Sequence, residues 1–186
     1  MRPNWFVAYP LDRSERLLPF LDHAPDGLRP FHHEDMHLTI AFLGALEATA
    51  QHHVTQLLRT CKWPRVEATL GKLLPLPNAK RFSALSFELR EGRNEMVAVM
   101  SAYRDDLHRT AGIPLDRRPP LPHVTIGRPR RRASVAARLD LLAWGATLDV
   151  SNLRFCFDRV VLYTWADDRS ERQFKKVCLV DAGSEL

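Results

Sequence analysis

Two histidines, each followed two residues later by a threonine, are the groups of this chain best suited by type and spacing to do chemistry. They lie in the tetrads HLTI (37–40) and HVTI (123–126). An unperturbed imidazole titrates near neutral pH, so two histidines that face a common ligand can act as general base and general acid. Threonine hydroxyls can donate hydrogen bonds to anionic oxygens. The pattern indicates proton-transfer chemistry on an anion, provided that the fold brings both tetrads to one cleft.

Both tetrads are predicted to be strands because of their apolar and β-branched content. Side chains alternate along a strand, so the histidine and threonine of each tetrad share one face, and the two apolar residues point to the other. One such tetrad has little meaning alone, since a half-buried strand can carry polar residues on its wet side. Two tetrads in corresponding positions of the chain favour a shared site.

An overlapping motif suggests a different chemistry, because residues 33–37 read HEDMH and match the H-E-x-x-H pattern of zinc peptidases. That pattern requires two histidines one turn apart on a helix. Here strand-like sequence begins at His37, Pro30 lies just before the motif, and the extended metzincin motif is absent. We therefore predict that His33 is a loop residue and that the chain is not a zinc peptidase.

The predicted elements around the tetrads repeat in order along the chain. Strands are predicted over 5–9, 37–43, 66–77, 82–90, 123–127, 158–166 and 173–180, and helices over 12–24, 46–62, 92–112 and 134–146. Each half therefore reads strand, helix, strand beginning with His-apolar-Thr-Ile, helix and strand. Asp12 and Glu15 stand at capping-box spacing in the first helix, and Gly112 is placed to end the third. His108, near the end of that helix, is predicted to lie at the surface.

Composition narrows the class of protein. The chain of 186 residues is expected to be one domain over 1–186, made of two interleaved pseudo-repeat lobes. Its three cysteines are widely spaced, without a C-x-x-C pair, which argues against a disulfide framework or a cysteine zinc site and favours a reducing, cytoplasmic setting. No apolar run is long enough for a signal peptide or a membrane span, so no membrane association is expected.

A strongly basic segment surrounds the second tetrad. Residues 117–132, RRPPLPHVTIGRPRRR, hold six arginines and no acidic residue in a chain of net charge +5. Arginine forks bind phosphate through two parallel hydrogen bonds, so this segment predicts an anionic or nucleic-acid ligand. A solvated basic loop is the alternative on charge alone.

With both tetrads, the extension HLTIAFLG (37–44) and the segment PHVTIGRPRR (122–131), the chain resembles the 2H phosphoesterase superfamily. It is most similar to the bacterial RNA 2′,3′-cyclic phosphodiesterases, also described as 2′-5′ RNA ligase-like proteins. The resemblance implies a bilobal α+β fold, with two pseudo-symmetric lobes that each have an antiparallel sheet flanked by helices, and a central cleft. Residues 4–11 and the surroundings of Phe174, where this branch often has tyrosine, depart from the family pattern. The departure bears on base and substrate preference and not on the chemistry.

The resemblance also implies the site residues. His37 and His123 would be catalytic, and Thr39, Thr125 and Arg128 would bind the phosphate. By family analogy, His37 would be the acid that protonates the leaving oxygen, and His123 the base that activates water.

Three further residues near the tetrads are candidates for the site, and the direction of their side chains depends on how regular the strands are. Strict alternation would aim Arg128 away from the cleft, so Gly127 is expected to permit a β-bulge that turns it back. Phe42 falls on the predicted apolar face of its strand, so core packing is the favoured interpretation, and contact with substrate is the alternative. Arg130 is a further candidate for substrate contact.

The expected function is hydrolysis of RNA 2′,3′-cyclic phosphodiester ends to 2′-phosphomonoesters by the two histidines, with 2′-5′ RNA ligation as the reverse reaction. No metal and no cofactor are expected, the partners are RNA ends or nucleotides with a cyclic phosphate, and the protein is expected to be a monomer. Two alternatives remain open. One is a 2H enzyme acting on a small cyclic phosphate or a 2′-5′ oligonucleotide, and the other is a non-catalytic RNA-binding module that uses the arginine cluster.

Overall fold

The chain folds around an antiparallel sheet flanked by helices. A computed structural model describes residues 3–183. The strands are β1 (Trp5–Pro10), β2 (Leu28–Pro30), β3 (His37–Gly44), β4 (Val66–Leu76), β5 (Ala84–Leu89), β6 (His123–Pro129), β7 (Arg154–Phe157), β8 (Arg159–Trp165) and β9 (Phe174–Asp181). The helices are α1 (Leu18–Leu21), α2 (Ala48–Thr60), α3 (Arg93–Ala111) and α4 (Val135–Thr147). These elements confirm the predicted α+β class.

The strand order places the two tetrads side by side at the centre of the sheet. It runs β7-β4-β5-β6-β3-β1-β8-β9, with β2 added to β6. The join between β3 and β6 consists of the pair Leu38 and Val124. One lobe (β3, β1, β8, β9) takes its strands from both ends of the chain, and the other (β6, β5, β4, β7) from the middle. The two predicted sheets are therefore continuous through one narrow join.

The apolar residues of the tetrads fix the central strands from behind. Leu38, Ile40, Val124 and Ile126 are each at most 2% exposed. Burying a side chain of this size stabilises the fold by roughly 1.5–3 kcal/mol. α3 packs on β3 and on α2, while α4 packs on β4. The opposite face of the two strands is left free to carry the histidines and threonines.

The first predicted helix is the least accurate of the element predictions. Residues 12–24 contain only a 3-10 turn over Ser14–Leu17 and the single turn of α1. Pro19 lacks a backbone donor, and Arg13 takes a left-handed φ of 49°, so a long regular helix does not form. The capping box is also wrong, because Asp12 makes no cap and instead forms an ion pair with Arg159 at 3.5 Å.

Other differences are short edge elements and one histidine. β2 and β7 have three and four residues and were not anticipated, since so short a segment shows no periodicity. His108 is 3% exposed rather than at the surface, and its Nδ1 accepts a hydrogen bond from the Asp116 N–H at 3.1 Å. The predicted end of α3 is confirmed, because Gly112 adopts a φ of 69° there. Within residues 3–183, none of the helices has the length and apolar character needed to cross a bilayer.

Candidate active site

Both tetrads line one cavity above the join of β3 and β6. The cavity has a volume of about 200 Å³ and is lined by Asn4, Phe6, Phe31, His37, Thr39, Phe42, His123, Thr125, Arg128, Trp165, Arg169, Gln173 and Phe174. Because the strands are antiparallel about the central pair, each histidine stands beside the threonine of the other strand. No carboxylate is among these lining residues, so the cleft is suited to an anion.

The two imidazoles are held in the same way. Nδ1 of His37 donates to the carbonyl oxygen of Asp35 at 2.6 Å, and Nδ1 of His123 donates to that of Leu121 at 2.6 Å. Each acceptor lies two residues before its histidine. The hydrogen bond at Nδ1 fixes the tautomer, which leaves the Nε2 lone pair of each neutral imidazole available to a ligand.

The surroundings of His37 are more apolar than those of His123. Its ring stacks on Phe6 at a centroid distance of 4.7 Å and also lies near Tyr163 and Phe174, at 5.5 and 5.4 Å. Burial lowers the pKa of His37 to about 4, although the hydrogen bond and charge of Asp35 act in the opposite direction. Burial also lowers the pKa of His123, against the hydrogen bond to Leu121. Both shifts favour the neutral form of the imidazoles.

A β-bulge follows the threonine in each central strand. In the β1–β3 pairing, Thr39 is opposite Ala8 and Ala41 is opposite Val7, so Ile40 is the extra residue. The bulge reverses the alternation beyond it. Phe42 consequently lies in the cleft and is 54% exposed, which corrects the expectation that it packs in the core.

The matching bulge in β6 turns Arg128 into the cleft, as expected. Thr125 is opposite Ser86 and Gly127 is opposite Leu85, so Ile126 is the extra residue. A glycine is needed at 127 because a Cβ there would lie 2.8 Å from the carbonyl oxygen of Arg29 in β2. The bulge places the guanidinium at the cavity, and the close approach of β2 explains the glycine.

Arg128 is the principal cationic group beside the histidines. Its guanidinium lies 5.8 Å from the ring centroid of Phe31, and no ion pair to it occurs within residues 3–183. Burial lowers the pKa of Arg128, and the charges of Arg29 and Arg169 lower it further. An anion placed among these like charges would relieve their repulsion.

Arg130 lies apart from this group. Its Nε donates to the carbonyl oxygen of Asp26 at 2.6 Å, and its backbone N–H donates to that of Gly27 at 2.8 Å. It is not among the residues that line the cavity. The geometry therefore gives no support to Arg130 as a substrate contact.

Ser86 is a site residue that sequence reasoning missed. Its Oγ lies 2.9 Å from Oγ1 of Thr125 on the adjacent strand, and the serine is fully buried. If Ser86 donates this hydrogen bond, the Thr125 hydroxyl keeps its own proton for a ligand. Position 86 carries no motif, so only the register of β5 against β6 could reveal it.

Asp35 was also missed, and it anchors the wall beside His37. Its fully buried carboxylate accepts from Nε of Arg172 at 3.1 Å and from the Gln173 N–H at 2.7 Å. Arg172 additionally pairs with Glu34. The carbonyl of Asp35 orients His37 while its side chain ties down the connection between β8 and β9, so one residue positions two parts of the cleft.

The H-E-x-x-H motif does not form the helix that zinc peptidases require. His33–Asp35 is a 3-10 turn, and His37 already belongs to β3. His33 lies near Ser14, with Nδ1 3.5 Å from its hydroxyl, whereas His37 faces the cleft. Among the residues described, no three His, Cys, Asp or Glu side chains are grouped to hold a metal ion.

Comparisons with known proteins agree with this geometry. A sequence model of the 2′-5′ RNA ligase superfamily matches residues 17–169. Solved structures with the same fold include a phosphoesterase (TM-score 0.76, 18% identity, 99% of this chain and 100% of that chain). E. coli LigT with 3′-AMP has a TM-score of 0.75 and 18% identity, over 99% of this chain and 100% of that chain. The protein TT0787 of Thermus thermophilus has a TM-score of 0.66 and 16% identity, over 96% of this chain and 97% of that chain. A search among curated proteins gave no match.

Proposed function

Because this chain belongs to the 2′-5′ RNA ligase superfamily, we propose that it hydrolyses 2′,3′-cyclic phosphodiester ends of RNA to 2′-phosphomonoesters. The observation that carries the proposal is the pair of imidazoles whose Nε2 atoms are free beside one cavity that has an arginine and no carboxylate. E. coli LigT, which shares the fold, has been crystallised with 3′-AMP, a ribose phosphate of the kind the proposed substrate contains.

The reaction needs one proton removed and one proton supplied. A water oxygen forms a bond to phosphorus while one histidine takes its proton, and the bond from phosphorus to the 3′ oxygen breaks. The other histidine protonates that oxygen, leaving a free 3′ hydroxyl and a 2′-phosphate. General acid–base catalysis of this kind contributes roughly 10²–10⁴ in rate.

Donors are needed for the charge on the non-bridging phosphate oxygens. Thr39 and Thr125 lie on the same face as the histidines, and Arg128 reaches the cavity through the bulge of β6. Hydrogen bonds from a charged group to an anion are about twice as strong as neutral ones. We assign the phosphate charge to Arg128 and the two hydroxyls, so the reaction needs no metal ion.

The unequal burial of the histidines favours His37 as the base, the reverse of the assignment drawn from the family resemblance. A base must be unprotonated and an acid protonated in the active form. His37 has a pKa of about 4, and the partly exposed His123 is the less buried of the two. If the lower pKa belongs to the base, a larger fraction of the enzyme has both groups in the required state.

This assignment can be tested with a substrate whose leaving group needs no proton. With bis(p-nitrophenyl) phosphate, the variant that lacks the acid should keep its activity, whereas the variant that lacks the base should lose it. We expect His123→Ala to retain turnover of that diester and His37→Ala to lose it. The opposite result would restore His37 as the acid.

Phe42 is proposed to contact the substrate as an apolar wall of the cleft. Its ring lies 6.0 Å from that of Phe6 and is more than half exposed. An exposed phenyl ring beside a phosphate site offers a face to a ribose or a base. It is not required for proton transfer, so its loss should affect substrate binding more than turnover.

The experiment that tests the function is turnover of a substrate panel by the wild type and its histidine variants. The panel holds 2′,3′-cyclic nucleotides, RNA ending in a cyclic phosphate, and 2′-5′ oligonucleotides. His37→Ala and His123→Ala should each abolish hydrolysis, while His53→Ala, at an exposed position of α2, serves as the matched control. Activity should survive EDTA.

Each contrary result has a distinct meaning. If only the 2′-5′ oligonucleotides are cleaved, the substrate is a 2′-5′ linkage and not a cyclic phosphate end. RNA binding that persists in both histidine variants, with no turnover by the wild type, would make the protein a binding module. Loss on chelation with recovery on adding zinc would contradict the metal-independent reaction.

A further inference from the structure

One wall of the cavity carries an aromatic and cationic pair that the proposed reaction does not use. Trp165 is the last residue of β8, and the guanidinium carbon of Arg169 lies 4.6 Å from the centroid of its ring. Both residues line the same cavity as the histidines. The pair is defined here as the Trp165–Arg169 platform.

The platform is held in place from two sides. Trp165 pairs with Phe174 across β8 and β9, and Phe174 packs against His37. The connection that carries Arg169 is fixed at its far end, because Arg172 and the backbone of Gln173 bind the buried carboxylate of Asp35. The platform therefore has a defined position relative to the catalytic histidines.

Nearby acidic residues leave Arg169 unpaired. Asp167 binds Lys175 at 2.8 Å, and Asp168 accepts from the Ser170 N–H at 2.8 Å. No ion pair to Arg169 occurs within residues 3–183, and its side chain is exposed. The guanidinium therefore has no carboxylate partner among the described residues and can contact a ligand beside the ring of Trp165.

A nucleobase is the ligand that fits such a surface. Bases stack on aromatic rings and on guanidinium planes, and every base has a π-face, so the contact tolerates different sequences. A base and a phosphate belong to the same nucleotide, and Arg128 lies close enough to Arg169 for the two charges to interact. A nucleotide whose phosphate lies between the histidines can thus present its base to this wall.

We propose that the Trp165–Arg169 platform stacks the nucleobase of the substrate nucleotide and so makes the enzyme prefer nucleoside cyclic phosphates over base-free ones. The proposal rests on the proposed function, because it names the substrate class of the same site. It assigns Trp165 and Arg169 to substrate binding and selection, and leaves proton transfer to the histidines.

The test compares a substrate that has a base with one that lacks it. The value of kcat/KM is measured for adenosine 2′,3′-cyclic phosphate and for methyl ribofuranoside 2′,3′-cyclic phosphate, which keeps the reacting ring but has no base. Loss of one stacked base is worth about 1–3 kcal/mol, which is about 5- to 150-fold. Trp165→Ala should lose this factor on the nucleotide and stay within about twofold on the base-free compound.

Conservative variants separate stacking from folding. Trp165→Phe keeps an aromatic ring and should retain most of the preference, and Arg169→Lys keeps the charge but loses the planar face. Arg169→Lys should therefore lose part of the preference for the nucleotide. Equal losses on both substrates in Trp165→Ala and Arg169→Lys, or no loss on either, would overturn the platform.

A binding measurement keeps the proposal testable if the wild type hydrolyses neither compound. In that case the proposed function fails. Calorimetry with adenosine 2′-monophosphate and with inorganic phosphate still measures whether the Trp165–Arg169 platform binds a base. The platform predicts that the nucleotide binds more tightly than phosphate and that Trp165→Ala removes the difference. Equal binding of the two by the wild type would overturn it.

Discussion

The two halves of the cleft share a backbone and differ in their side chains. In both, a histidine donates from Nδ1 to the carbonyl two residues before it, at 2.6 Å, and a bulge follows the threonine. In both, the residue five positions beyond the histidine is turned into the cleft. Main-chain geometry alone therefore sets up two equivalent sites for an imidazole and a hydroxyl.

What occupies the equivalent positions makes the halves unequal. The fifth position is Phe42 in β3 and Arg128 in β6, and the residue opposite the threonine is Ala8 in one half and Ser86 in the other. Rings surround His37, whereas none of the ring contacts found within residues 3–183 involves His123. Aromatic rings thus predominate around His37, whereas Ser86 and Arg128 make the β6 strand the more polar of the two central strands, which suits a substrate with an apolar part and a charged part.

The largest expected effect is loss of either imidazole. His37→Ala and His123→Ala should each lower kcat by about 10²–10⁴. If the two act on one phosphate as a unit, the double variant should lose little more than the worse single variant. Steady-state rates on a cyclic nucleotide measure this. Losses that multiply in the double variant would indicate that the two histidines act independently.

The acid sensitivity of folding should reveal the burial of His37. The pKa of His37 falls from 6.5 unfolded to about 4 folded, so the unfolded state binds more protons at low pH. The stability that this provides is complete above pH 6.5 and is lost as the pH falls towards 4, by about 3 kcal/mol. Urea unfolding of the wild type and of His37→Phe at pH 7 and pH 4 measures the difference. An unchanged pH dependence in the variant would contradict the buried, neutral state.

Arg128 and Phe42, each five positions beyond a catalytic histidine, should affect different kinetic constants. Arg128→Ala removes the charged hydrogen bonds proposed to hold the phosphate, each worth about 1.5–3 kcal/mol, so kcat/KM should fall by about 10- to 150-fold. Phe42→Ala removes only an apolar contact, so KM should rise with kcat nearly unchanged. Steady-state kinetics on one cyclic nucleotide compare the two. A larger effect of Phe42→Ala on kcat would reverse the assigned roles.

The smallest expected effect concerns the partner of Thr125. Ser86→Ala leaves that hydroxyl without its hydrogen bond at 2.9 Å, and a typical bond of this kind is worth about 0.5–1.5 kcal/mol. We expect kcat/KM to fall by about 2- to 10-fold. Ser101→Ala, at an exposed position of α3, is the matched control. Equal effects of the two substitutions would show that Ser86 has no part in orienting Thr125.

The features that could be predicted from the sequence are those encoded by strand alternation or by a local motif. The tetrads, the main strands and α2, α3 and α4 follow from local patterns, and the bulge at Gly127 was predicted from a glycine that precedes a needed arginine. The bulge after Thr39 was missed because Ala41, unlike Gly127, gives no local sign of irregularity. Phe42 was therefore assigned to the wrong face.

The remaining site residues depend on contacts between distant segments. Ser86 meets Thr125 only through the register of β5 on β6, and Asp35 meets Arg172 across 137 positions of the chain. Trp165 and Arg169 reach the cleft because β8 returns beside β1 in the lobe built from both chain ends. No local sequence pattern encodes these long-range contacts, so they could be found only from the fold.

One anion is proposed to contact both imidazoles. NMR titration of the Nε2 signals of His37 and His123, with and without inorganic phosphate, tests it directly, and the two alanine variants assign the signals. A shared phosphate favours the charged form of both rings, so the pKa values of the two histidines should rise together on binding. A rise at one histidine, with the other unchanged at saturating phosphate, would contradict it.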